Sequence, residues 1–268
     1  MNCPVCDSPE SIVIYTGSFY LLRRCAACRT NYQERTGAPS KRYEEDYFKS
    51  NHRAAYGKTY IEDEANIRAI AGRRLGIIGG MIPAGGRILD VGSALGIFCD
   101  EAVRRGFRAE GVEVSRYART FAKKTFGVTS HADIGGTRGP FDALTLWYTL
   151  EHMAEPRVFV RGALRLLGAG GIIALAVPNG AGACARFNRK KYHAIRPEEH
   201  FFEPSPRGLK RLLAECGCGI VRTEYFGLHP DRVGLPDRQA VRGAQKALRL
   251  GDTFEVYATV SGRYTARP

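Results

Sequence analysis

The chain of 268 residues has room for one large domain with a small appendage, and its 44% hydrophobic and 25% charged residues are the composition of a folded protein. No apolar run approaches the roughly 20 residues that a membrane helix needs, and MNCPVCDSPE lacks the basic start and apolar core of a secretory signal, so a cytoplasmic protein without a membrane partner is expected. The net charge of +13 is densest after residue 180; it admits an anionic substrate or nucleic acid, but a solvated arginine-rich surface is the simpler account of it.

The chain opens on two C-x-x-C pairs, Cys3-Pro-Val-Cys6 and Cys25-Ala-Ala-Cys28, separated by eighteen residues. Each short knuckle can present two sulfurs to one ion, and the separation lies in the range that tetrahedral zinc sites use. Between them SIVIYTG and FYLLRR read as strands joined at Gly17-Ser18, a hairpin. Residues 1–36 are therefore expected to form a zinc ribbon holding one structural zinc, because four thiolates leave no open coordination position. Cys99, Cys184, Cys216 and Cys218 have no ligand spacing and are assigned no chemistry.

Residues 37–80 read as helical. Tyr43 with Tyr47 and Tyr56 with Tyr60 stand four apart, so each pair can share a helix face that packs this lead-in onto the main domain over the cofactor site. After the break at Pro83-Ala-Gly-Gly86 the text alternates. Strands are predicted at 87–92, 108–114, 128–131, 141–147 and 171–178, with helices at 96–105, 115–126 and 156–167 between them. That order implies an α/β domain over 81–268, Rossmann-like, with a parallel sheet covered by helices on both faces. Ligands of such sheets bind at the carboxyl ends of the strands, near the first crossover.

RILDVGSALGIFCDEA, residues 87–102, occupies that place. A dinucleotide fingerprint would repeat glycine where Ala94 and Ile97 stand; the pattern here is Asp90, Gly92, Ala94, Gly96. An acid at the strand end suits a cationic ligand group better than a pyrophosphate. Glu113, in GVEVS at the end of the next strand, can accept hydrogen bonds from two ribose hydroxyls. An adenosine-bearing cofactor without a diphosphate and with a positive end is S-adenosylmethionine.

LDVGSALG, GVEVS, FDALTLWYTLEHM (141–153), LLGAGGIIALAVPN (166–179) and RPEEHFFEPSPRGLKRLLAECG (196–217) together resemble the class I S-adenosylmethionine-dependent methyltransferases. More narrowly they are similar to the ubiquinone-biosynthesis-type O-methyltransferases, including members with an N-terminal zinc ribbon. The resemblance implies a seven-stranded sheet and a cofactor site of Asp90, Gly92, Gly96 and Glu113. It adds Asp133 toward the adenine amino group and Trp147 packed near the cofactor. Ala94 departs from the commoner glycine.

His152, after the fourth strand, and His200, in EEHFF, are the candidate catalytic residues, since either imidazole could take a proton from a hydroxyl near neutral pH. The residues alone leave open whether each moves a proton or only holds its loop. Residues 205–217 read as an amphipathic helix, and 219–226 and 254–262 as the last strands. The basic segment 229–252 between them matches nothing specific. The expected function is methyl transfer to a small-molecule or carrier- or sugar-linked acceptor, most simply at oxygen. Two alternatives stand beside it: an rRNA base methyltransferase with the ribbon as its RNA-binding module, and a catalytically inactive ribbon scaffold.

Overall fold

The computed structural model describes residues 1–35, 46–51, 53 and 57–260. Tyr43, Tyr56 and His52 lie outside the described residues, and so do the last two positions of the strand predicted to run to 262. Among the described residues one seven-stranded sheet has the order β10-β11-β8-β7-β4-β5-β6 and a four-stranded sheet the order β1-β2-β3-β9. The chain divides into two compact units: one holds the residues up to Leu146 that follow the ribbon, together with Gly162–Ala174, and the other the ribbon, Trp147–Arg161 and everything from Leu175 on.

In the first unit β4 (Arg87–Val91), β5 (Arg108–Val112) and β6 (Ser130–His131) run parallel, with β7 (Phe141–Trp147) parallel to β4 on its other side. Such strands are buried on both faces and read as apolar runs. Ile88, Leu89, Ala143, Leu144 and Leu146 are accordingly buried. The crossovers are α2 (Ile97–Arg104) and α3 (Arg116–Phe126), preceded by α1 (Glu64–Gly79). Helix α3 is capped at both ends: Ser115 Oγ accepts the Ala118 N–H, and Gly127 takes a left-handed φ of 71°. Arg68 ties α1 to α2 through Asp100 at 2.6 Å and Glu101 at 3.4 Å. Of the lead-in, Phe48 is buried beside Leu95 and Ala118, with Tyr60, Ala94 and Tyr117 packed around it.

In the second unit the ribbon hairpin is β1 (Ser11–Thr16) and β2 (Tyr20–Cys25), antiparallel. A third strand, β3 (Asn31–Arg35), was not foreseen. It pairs with β9 (Phe202–Glu203) in the register Asn31↔Glu203 and Tyr32↔Phe202. Ser205 donates its hydroxyl to the Cys28 carbonyl and accepts the Gly208 N–H as N-cap of α7 (Pro206–Glu215). Gly208 must be glycine for this docking, since a Cβ there would stand 2.4 Å from Thr30 Oγ1. The helix itself follows its periodicity, burying Leu209, Leu212 and Leu213.

The remaining helices are α4 (Pro156–Leu164), α5 (Ala183–Phe187), α6 (Arg189–Ile195) and α8 (Gln239–Ala247). Strand β8 (Leu167–Pro178) begins four residues before the predicted 171, ahead of the glycine pair. Strands β10 (Cys218–Phe226) and β11 (Thr253–Val260) close the sheet antiparallel. The basic stretch RFNRKKYH, residues 186–193, forms parts of α5 and α6.

Candidate active site

Three acids stand at or just beyond the carboxyl ends of consecutive parallel strands. Asp90 belongs to β4, Glu113 follows β5 by one residue, and Asp133 follows β6 by two. The parallel register sets Val91 opposite Val112, and Val112 opposite His131, which aligns the three ends. Asp90 is 2% exposed, and Thr145 on β7 donates its hydroxyl to Asp90 Oδ1 at 2.6 Å. Burial pushes the Asp90 carboxyl up to about 7, against the pull of the Thr145 hydroxyl and the Arg74 guanidinium. The group is thereby poised to ionise beside a cation.

Glu113 joins strand and turn. One carboxylate oxygen accepts the Ala94 N–H and the other the Ser115 N–H, each at 2.9 Å. Burial raises this carboxyl and the two backbone donors oppose the rise. Both oxygens keep lone pairs for further donors such as hydroxyls. The turn they hold is left-handed at Gly92, Ala94 and Gly96, with φ of 79°, 47° and 83°. At Gly96 a Cβ would come within 2.7 Å of Ala122 Cβ, so only glycine fits. Ala94 adopts a glycine-like conformation despite its methyl, at a cost of about 1 kcal/mol. Asp133 is exposed, and its Oδ1 accepts the Gly136 N–H at 3.2 Å. Beside the turn, the Phe48 cluster borders a cavity of about 440 Å³ lined in part by Arg53, Thr59 and Tyr117. The donor set fits an adenosine carrying a positive group: the acids could accept from a cation and from hydroxyls, and the left-handed turn at Gly92 and Gly96 places no side chain there.

The second unit carries the two histidines. The His152 and His200 rings meet edge to face with centroids 4.9 Å apart. Burial, reinforced by the neighbouring His200, pushes the His152 imidazole down to about 4, so it is neutral at physiological pH. His200 Nδ1 lies 2.9 Å from Glu203 Oε1. Glu203 is buried, yet Arg196, His200 and Tyr192 overcome the effect of burial and hold its carboxyl down at about 2. Glu151 is the opposite case. It is fully buried, neither carboxylate oxygen has a hydrogen-bond partner among the described residues, and burial lifts its carboxyl well above the usual range. Ligand atoms of Glu151, His152 and His200 lie within 4.8 Å of one another, a donor set that a cation could also use. Trp147 ends β7 with its ring 6.4 Å from that of Tyr257. Sequence reasoning passed over Glu151 and Glu203; the i,i+3 spacing of His200 and Glu203 was the one available signal.

In the ribbon all four knuckle sulfurs are buried and lie within 4.8 Å of one another, with Cys3–Cys28 at 3.6 Å and Cys6–Cys25 at 3.5 Å. A tetrahedron of sulfurs about 2.3 Å from one zinc has edges of about 3.8 Å. The residues fit the ion. The Cys3 thiol and Thr30 hold the Cys28 thiol down at about 5, whereas burial pushes Cys6 up to about 11, so Cys6 would need a cation to persist as a thiolate. The other four cysteines are buried outside this cluster.

Comparison with known proteins places the chain in a family. The family model described as "Methyltransferase domain" matches residues 64–223. A ubiquinone biosynthesis O-methyltransferase of Xanthomonas axonopodis pv. citri is 30% identical over 107 residues, covering 36% of this chain and 45% of that protein. The protein of the same name from Alkalilimnicola ehrlichii is 30% identical over 137 residues, 46% of this chain and 52% of that one. The chain thus spans about half the length of the curated relatives it matches. A SAM-dependent methyltransferase structure from Archaeoglobus fulgidus superposes with a TM-score of 0.60 at 16% identity, over 80% of this chain and all of that one, which is a likeness of fold. Matched over more than half its length, the chain belongs to the methyltransferase domain family, the class I S-adenosylmethionine-dependent methyltransferases.

Proposed function

We propose that this protein transfers a methyl group from S-adenosylmethionine to a hydroxyl oxygen of a small-molecule or carrier-linked acceptor. The observation that carries the reading is the set of three acids at consecutive strand ends around a left-handed glycine turn. Asp90 would neutralise the positive charge of the cofactor, Glu113 accept its ribose hydroxyls and Asp133 meet its adenine amino group, with Gly92 and Gly96 leaving room and Trp147 packing nearby. When bound, the cofactor supplies a methyl carbon made electrophilic by a positive sulfur. The chain's own contribution is to orient the acceptor and to hold the proton its hydroxyl gives up. His200 suits the proton better than His152, because it has an ionised carboxylate on Nδ1 whereas burial disfavours charge on His152. Oxygen as the methylated atom is supported by the names of the curated relatives. One structural zinc on Cys3, Cys6, Cys25 and Cys28 completes the assignment.

Titration calorimetry with S-adenosylmethionine tests it. Asp90→Ala and Glu113→Ala should each weaken binding at least about tenfold, the loss of one charge-assisted contact, with the far-ultraviolet spectrum unchanged. Unaltered affinity in both variants would mean that the site lies elsewhere.

A further inference from the structure

The structure assigns Glu203 as the positioning residue of His200: it fixes the proton on Nδ1, leaves Nε2 as the bare acceptor, and is itself held in place by the third strand of the cysteine ribbon. The inference rests on the reading that His200 receives the acceptor's proton. An ionised carboxylate only accepts hydrogen bonds, so the 2.9 Å contact requires His200 to donate from Nδ1. In a neutral imidazole with one proton, Nε2 then carries the free lone pair.

Nothing in that arrangement is left to a mobile side chain. The Tyr192 hydroxyl donates to Glu203 Oε2, and Asn31 Nδ2 donates to the Tyr192 oxygen at 2.9 Å and to the Gly180 carbonyl at 3.0 Å. The Arg196 guanidinium faces Glu203 Oε1 at 3.3 Å and donates to the His200 carbonyl. Asn31 stands opposite Glu203 across the β3–β9 pair, three residues after the knuckle cysteine Cys28. Gln33 extends the support, its N–H donating to the Phe201 carbonyl at 2.8 Å and its amide to the Glu198 carbonyl at 3.0 Å. Arg35 lies over the Phe201 ring at 4.1 Å. The ribbon therefore serves as a splint for the histidine segment. The charged and titratable groups near His200 include Glu203, Arg196, His152, Glu151 and Tyr192, with Glu199 and Arg35 acting on the neighbouring His152, and Glu203 is the carboxylate that meets the ring at Nδ1.

Long-range proton–nitrogen spectra of the zinc-replete, nitrogen-15-labelled full chain read the tautomer without any acceptor, with the His200 signals assigned by their loss in His200→Gln. The expected result is an Nδ1–H ring in the native protein and an Nε2–H population appearing in Glu203→Gln. With a catechol as probe acceptor, Glu203→Gln should lower kcat by about 10- to 100-fold, part of the roughly 100- to 10,000-fold that a general base contributes, and leave KM within about twofold. Tyr192→Phe, the milder variant should Glu203→Gln fold poorly, should do the same to a smaller extent. An Nε2–H ring in the native protein overturns the positioning role and leaves methyl transfer standing. A His200→Gln enzyme with undiminished turnover overturns the base role on which the inference depends.

Discussion

Asp90 is where stability and function pull against each other most directly. Its folded-state carboxyl, pushed up to about 7, lies above the ordinary value, so its contribution to stability is fully present below the unfolded pKa and is lost as pH rises through about 7. Asp90→Asn should therefore leave the melting temperature unchanged near pH 4 and raise it near pH 8, and a thermal scan showing no pH-dependent gain would contradict a buried, charge-penalised carboxyl. The same poise makes cofactor binding pH-dependent. A positive ligand selects the ionised acid, so affinity for S-adenosylmethionine should rise with pH below about 7, approaching tenfold per unit, with one proton released, and should flatten above. Calorimetry in two buffers of different ionisation enthalpy measures that proton, and Asp90→Asn should abolish its release. The acids Asp90 and Glu113 were legible in the sequence because strand ends and a glycine turn are local features. Ala94 was legible only as a departure from glycine; its left-handed φ of 47° is a property of the folded turn. Glu203 was not legible: EEHFFE offers three acids around one histidine, and only the fold decides which of them meets the ring.

At the scale of elements, the alternation of strands and helices was readable because continuous apolar runs such as IIALAV and the amphipathic stripe of α7 are local periodicities. Strand β3 was not, for NYQER carries no apolar alternation, and its partner β9 lies far along the chain. Long-range pairing of short strands leaves no trace in periodicity. That pairing gives the ribbon a consequence beyond its own stability. Cys25→Ser should drop the zinc content below one per chain, and because Gln33 and Asn31 hold β9, it should also speed amide exchange across Phe201–Glu203. Metal analysis and hydrogen-exchange mass spectrometry read the two effects separately. Zinc lost with exchange at 201–203 unchanged would make the ribbon an independent module after all, and full zinc in the variant would remove Cys25 from the ligand set.

For the whole molecule the open choice is between a small acceptor and nucleic acid, and the charge of +13 bears on it. Positive charge alone is non-specific; what matters is how many basic groups remain available as a surface. Several are already engaged: Arg23 pairs with Glu34, Arg24 donates to Asn31, Arg157 and Arg211 share Glu215, and Arg232 meets Asp252 at 3.0 Å. In the ribbon, the element an RNA-binding module would use, two edges of the sheet have different fates. Strand β9 covers one side of β3, and β1 presents Ile12, Val13 and Tyr15 to solvent, an apolar rather than a cationic face. No helix among the described residues is long and apolar enough to cross a membrane. A small-molecule enzyme should then show a KM for a catechol acceptor that changes less than about twofold between 50 and 200 mM salt, since few ions are released on binding. A protein neutralising six or more phosphates would instead lose about a thousandfold in RNA affinity across that range. Filter binding to a structured RNA, run beside the steady-state assay at both salt concentrations, separates the two. Submicromolar RNA binding at low salt that collapses with that slope, together with methylation of the RNA, would move the assignment to nucleic acid while leaving the cofactor site where it is. Weak RNA binding with a salt-insensitive KM is the outcome expected of arginines that serve ion pairs and a solvated surface.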